Sequence, residues 1–233
     1  MRSVQLDIRN LSDRLVDIVR DIILSGAIAS DLPIRQDALA AELRVSKIPL
    51  REALARLEQD GLVVSHPNRG FFVREMSPEE AEEIYALRLK LEPDAAAEAC
   101  LRADDADREG ARSALELFDL DAAGHKPTVG ALNRAFHLAL VRPCGRRVTT
   151  NIVARLHVLA DRYVRKHLEP KGRFLRAEAE HHEILDAWLA GRSTRVRKLI
   201  AEHLEHTLAD LRTALRHTPT APATRARRKR QPK

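Results

Sequence analysis

Apolar residues recur at spacings of three and four along almost the whole chain, which restricts it to folds made by packing helix faces together. Leu11, Leu15, Ile18, Val19, Ile22 and Ile23 form the first stripe and Ser25-Gly26 supplies a stop, so a helix is expected over about residues 10–25. A short helix fits residues 36–43, and a third runs to Gln59 from Ser46, which is expected to cap it. Leu50, Ala53, Leu54 and Leu57 share its apolar stripe, whereas Lys47, Arg51 and Arg56 lie off it, so its outer side is basic. Only residues 62–65 and 71–74 are rich in β-formers, and His66-Pro67-Asn68-Arg69-Gly70 between them has the composition of a hairpin turn. Ser77-Pro78-Glu79-Glu80 then places an N-cap, a proline at the first helical position and a glutamate at the third. From there to His217 no strand is expected, only helices over about 77–101, 105–122, 127–141, 146–168, 172–190 and 193–217.

Three helices and a hairpin describe a winged helix-turn-helix, in which the second helix of the turn unit enters the major groove of DNA and the wing reaches a neighbouring groove. The expected fold class is therefore mainly α: a winged helix-turn-helix at residues 1–76, an all-α bundle at 77–218 and a basic tail at 219–233. Aromatic residues make up only 3%, so the bundle must pack on Leu, Ala, Val and Ile ridges. No stretch approaches the roughly 20 apolar residues of a membrane span. The N-terminus has no secretory h-region, and Cys100 and Cys144 form no Cys-x-x-Cys pair, so a reducing cytoplasm is the expected location.

Net charge is +6, but the last thirteen residues hold six basic residues and no acid, so the body of the chain is neutral. The tail is suited to nonspecific polyanion binding, or serves only solubility. DNA recognition has to rest on local placement instead. Arg51 and Lys47 can donate to guanine or phosphate, Ser46 and the helix N-terminus to a phosphate oxygen, and Arg69 beside Gly70 can enter a minor groove. A small helical domain with ordinary surface arginines fits the same spacing, because residues 1–75 carry equal numbers of acids and bases.

Ten histidines are present. His125, His157, His167, His182, His206 and His217 are read as surface or helix-lining residues, and His66 sits beside the hairpin turn. Asn133 and His137 lie one turn apart on one helix face, and apolar neighbours turn His181 and His203 inward. Three neutral imidazoles and an amide oxygen could hold a divalent metal such as zinc, nickel or manganese, although an inward histidine is also an ordinary hydrogen-bonded core residue.

The stretch Leu39 to Val63, with its LA-x-x-L, VS-x-x-P-x-RE-A-L and RL-x-x-x-GL-V segments, continued by Pro67-Asn68-Arg69-Gly70, resembles the DNA-binding domain of GntR-family bacterial transcriptional regulators. The bundle resembles the FCD effector domain of the FadR subfamily through Arg88-Leu89-Lys90-Leu91-Glu92, Asn133 to Leu140 (D-x-x-FH-x-x-L), Glu180-His181 to Ala187 and His203-Leu204. The resemblance implies a homodimer on a double-stranded palindromic operator, associated with the nucleoid, with Arg35, Ser46, Lys47, Arg51, Arg69 and Gly70 facing DNA. It further implies that Asn133, His137, His181 and His203 stand where members coordinate a metal, with a small carboxylate as effector. Three positions depart from the family pattern: Arg44 replaces a common glycine, Arg146 a common asparagine, and Asn133 the acidic ligand. Loss of that negative charge should weaken dication binding.

Arg88 is the candidate partner of the effector carboxylate, or else a salt bridge to Glu92 one turn later; Arg162 and Tyr163 are weaker pocket candidates. The function expected is ligand-responsive transcriptional control, more often repression in this family, with a constitutive DNA-binding dimer as the alternative. An enzyme is not expected. No HExxH motif, nucleophile elbow or general base accompanies the histidines, and Glu180 and Glu183 read as helix polar faces.

Overall fold

A computed structural model describes residues 8–30, 32–122, 129–168 and 172–216, and among them the chain is mainly helical. Helices α1 (Ile8–Leu24), α2 (Gln36–Glu42) and α3 (Lys47–Gln59) precede an antiparallel hairpin of β1 (Val63–His66) and β2 (Gly70–Val73). Then come α4 (Pro78–Arg102), α5 (Asp105–Ala122), α6 (Val129–Val141), a 3₁₀ turn at Arg142–Cys144, α7 (Arg147–Leu168), α8 (Arg173–Leu189) and α9 (Ser193–Arg216). The basic tail, the expected helical residues 127, 128 and 217, and His125 and His217 lie outside the described residues. No described helix is long and apolar enough to cross a membrane.

The first core forms because the stripes of α1 and α3 face each other. Leu15, Val16, Val19 and Ile23 bury against Leu50, Ala53, Leu54 and Leu57, with Leu62, Val63 and Val73 closing the cluster from the hairpin. Each large aliphatic side chain so buried contributes about 1.5–3 kcal/mol. The strands pair from Val63 with Val73 to His66 with Gly70, one residue nearer the tip than the composition suggested. The tip closes through Asn68 in the left-handed region (φ 59°) and an Arg69 N–H donated to the His66 carbonyl at 3.0 Å.

Between α2 and α3 the chain turns through Arg44 at φ 54°. Its N–H donates to Ala41 O at 3.2 Å and that of Val45 to Ala40 O at 3.0 Å, a Schellman closure in which glycine is usual. An arginine there costs roughly 1–2 kcal/mol. Ser46 takes the extended N-cap conformation, but its side chain makes no capping hydrogen bond, so the expected cap is absent. At Ser77 the cap is made: its hydroxyl oxygen accepts from the Glu80 N–H at 3.0 Å.

The second core is built around α4, whose small residues Ala95, Ala96 and Ala99 allow close packing, and Trp188 anchors it by donating from Nε1 to Leu140 O at 3.0 Å. Helix α7 lies between the two cores. Val158 packs against the first core. On the same helix Arg155 donates to the Gln59 carbonyl, Arg162 to that of Arg74, and Arg165 to that of Leu24 at 2.6 Å. These acceptors are the ends of α3 and α1 and the residue after β2, where carbonyls lack partners within their own elements. Gly61 permits the approach: it sits at φ +80°, and a Cβ there would meet Leu159 Cδ2 at 2.7 Å.

Candidate metal centre and nucleic-acid face

Five helices send polar side chains into the bundle. From α6 come Asn133 and His137, from α8 His181, from α9 His203, and all four are buried. One ring nitrogen from each histidine can be chosen so that the three lie within 4.8 Å of one another. Ring centroids stand 5.3 Å apart for His137 and His181, 5.2 Å for His137 and His203 and 4.8 Å for His181 and His203. Asn133 lies with His203 on the wall of a small cavity that Arg88 also lines.

The hydrogen bonding of this cluster is incomplete. His137 Nε2 and both ring nitrogens of His181 are buried with no partner among the described residues. Such groups ordinarily find one, and leaving a polar atom buried without it costs about 1–3 kcal/mol. His203 differs, because its Nδ1 lies 2.7 Å from Glu180 Oε2. A carboxylate there holds the proton on Nδ1 and turns the Nε2 lone pair toward the other rings, as the outer partners of metal-bound histidines do. Burial, then the neighbouring imidazoles, push His137 and His181 well below the usual histidine range, so both rings are neutral. Neutral nitrogens with unclaimed lone pairs are a donor set that fits a divalent metal.

Several residues of this site read differently in the sequence. His157 and His167 are not surface residues: both are buried. His157 Nε2 lies 3.2 Å from Glu92 Oε1, and the His157 ring centroid is 5.1 Å from that of His137. His167 Nδ1 stands 3.3 Å from Asp210, and burial takes its pKa to about 4. Glu180 is no mere polar-face residue, since it contacts both His203 and His206. Arg88 forms the salt bridge, donating to Glu92 at 2.5 and 3.2 Å with both side chains 1% exposed. Burial alone would raise the Glu92 pKa, but Arg88 and His157 outweigh it and bring it to about 2.

Arg162 and Tyr163 do not join the histidines. The Tyr163 hydroxyl donates to Glu80 at 2.5 Å and accepts from the Ser77 N–H at 3.1 Å, while Arg162 holds the Arg74 carbonyl at the seam beside α7. Both are buried, but at the junction of the two cores.

On the winged helix, Arg35, Lys47 and Arg51 line one shallow open groove and are all exposed. Ser46 is exposed at the start of α3, and Arg69 at the wing tip lies over the Phe72 ring at 5.3 Å, next to Gly70. Lys47 pairs with Asp37 at 2.5 Å, an exposed contact of little worth that water or phosphate readily replaces. Glu58 accepts from the Ser65 N–H and hydroxyl at 2.8 and 2.6 Å, fixing the wing against the helix that would enter the groove.

Residues 11–73 match the family described as bacterial regulatory proteins, gntR family, and residues 83–206 match the FCD domain. The Nta operon transcriptional regulator of Aminobacter aminovorans is 36% identical over 127 residues, which cover 49% of this chain and 60% of that protein. An HTH-type transcriptional regulator of Streptomyces ambofaciens is 30% identical over 218 residues, covering 89% of this chain and 88% of its own. Among solved structures, a GntR regulator from Rhodococcus sp. RHA1 superposes with a TM-score of 0.72 at 27% identity, over 88% of this chain and 99% of that one. The chain belongs to the GntR family of bacterial DNA-binding transcriptional regulators and carries an FCD domain behind its winged helix.

Proposed function

We propose that this regulator, of FadR type, is a homodimer whose operator affinity is set by a small organic carboxylate bound together with a divalent metal in the bundle, more simply as a repressor. In this reading residues 1–76 bind DNA through Arg35, Ser46, Lys47, Arg51, Arg69 and Gly70, residues 77–218 bind effector and dimerise, and the tail at 219–233 adds nonspecific attraction. His137, His181 and His203 hold the ion with Asn133 beside them. The supporting observation is the convergence of three buried imidazoles, among which His137 Nε2 and both ring nitrogens of His181 have no partner among the described residues. The metal would supply a positive charge that attracts a carboxylate; Glu180 keeps the His203 ring oriented.

The cavity next to the rings has a volume of about 10 Å³, room for about one water. An organic acid therefore enters only if the surrounding helices separate, and a ligand that prefers the opened form shifts the protein toward it by its differential affinity, typically about 1–3 kcal/mol. Arg88 becomes a partner for that acid when Glu92 gives way. The test is metal analysis of untagged protein purified without chelator. About one ion per chain in the parent and none in His181→Ala is expected; an absence of metal in the parent that persists after zinc, nickel and manganese are added back refutes the metal reading.

A further inference from the structure

A second cleft lies away from the histidines, at the junction of the two cores, with a volume of about 310 Å³. That is within the range of small-molecule sites, which favour domain interfaces. Its apolar wall includes Ile28, Val73 and Met76, and its polar side includes Arg74, Arg162 and Arg165. One carboxylate, Glu80, serves two of these guanidiniums, lying 3.2 Å from Arg74 and 3.6 Å from Arg162, and it also takes the Tyr163 hydroxyl. Arg162 is 9% exposed, yet its Nε is buried without a partner among the described residues. Among the described residues of this wall positive charge thus exceeds negative, and a donor there is unsatisfied.

We propose that this cleft binds a small carboxylate with an apolar body, at a site separate from the one proposed around the histidines. The apolar part rests on Ile28, Val73 and Met76. The carboxylate takes charge-assisted hydrogen bonds from the arginines, which recognise a planar acid by paired N–H donors. Arg162 and Arg165 also grip the carbonyls of Arg74 and Leu24, so the ligand competes for the same donors that hold the winged helix to α7. Occupancy of the cleft changes how firmly the winged helix is held, without any contact with the metal.

Calorimetric titration of the full chain with benzoate tests the site, with benzamide as the uncharged control. The expected result is saturable binding of one benzoate per chain, at least tenfold weaker binding of benzamide, and at least a tenfold loss for benzoate in Arg165→Gln. Ala29→Trp, which fills the exposed rim of the cleft, should cause a similar loss without removing charge, and melting curves confirm that both variants fold. His181→Ala should leave benzoate binding within twofold. Absence of saturable binding overturns the proposal, as does binding that survives both cleft variants. Binding lost in His181→Ala places the carboxylate in the histidine site and overturns it equally.

Discussion

Replacing His181 with leucine should stabilise the metal-free protein. The parent buries both ring nitrogens of His181 with no hydrogen-bond partner among the described residues, at about 1–3 kcal/mol each. The ring also packs against Phe118 and Phe136, with centroid separations of 4.8 and 4.7 Å, and losing those two contacts costs about 0.5–1.5 kcal/mol each. Leucine is close to histidine in volume, so cavity and crowding terms are small. The balance is a gain of about 1–3 kcal/mol. For a chain of this size that raises the Tm by about 2–12 °C. Thermal melts at pH 7.5 in chelator measure it, and a second melt with added zinc supplies the counterpart. The parent should rise with zinc and the variant should not, since a ligand of the folded state alone stabilises by mass action. A chelated variant that melts below the chelated parent would refute the argument, because it would show that the imidazole is satisfied in the native protein.

Two further expectations concern charge. His137, His157, His167 and His181 all have pKa values lowered chiefly by burial from 6.5, so the unfolded chain binds their protons before the folded one does. Metal-free stability should then fall as pH drops below about 6.5, by up to about 1.4 kcal/mol per pH unit for each group. Glu92, lowered to about 2, gives stability that is present above its unfolded value of 4.5 and is lost only as pH falls toward 2, outside this window. Urea unfolding at pH 7.5, 6.5 and 5.5 checks the slope, and a flat profile contradicts the neutral-histidine core. On DNA, Arg51→Ala should cost about 1–3 kcal/mol and relax preference at one base pair, whereas Lys47→Ala should weaken all sequences alike. Anisotropy titrations on a duplex selected in vitro with the full chain separate the two, and unchanged affinity in Arg51→Ala removes that residue from the interface.

What the sequence reveals here follows the range of the interactions. Helix placement was legible because an apolar stripe and its end signals are local: α5 begins at Asp105 and α9 at Ser193, as the breakers indicated, and Ser77 caps α4. Ser46 makes no cap, and the sequence carries a reason: the third helical position after it is Pro49, which has no N–H to donate to the serine hydroxyl. The inward face holding His137, His181 and His203 was legible from their apolar neighbours. His157 and His167 were not, because only the assembled bundle brings Glu92 and Asp210 against them. Arg162 and Tyr163 bond residues more than eighty positions away, a separation at which periodicity carries no information.

The arginines of α7 hold the winged helix through main-chain carbonyls at Leu24, Gln59 and Arg74. A carbonyl is the same whatever side chain stands beside it. The outward residues of α3 and the wing can therefore be exchanged through evolution, retargeting the regulator to new genes, while the mechanical link to its helical bundle stays intact. One bundle can in this way be inherited by many operators.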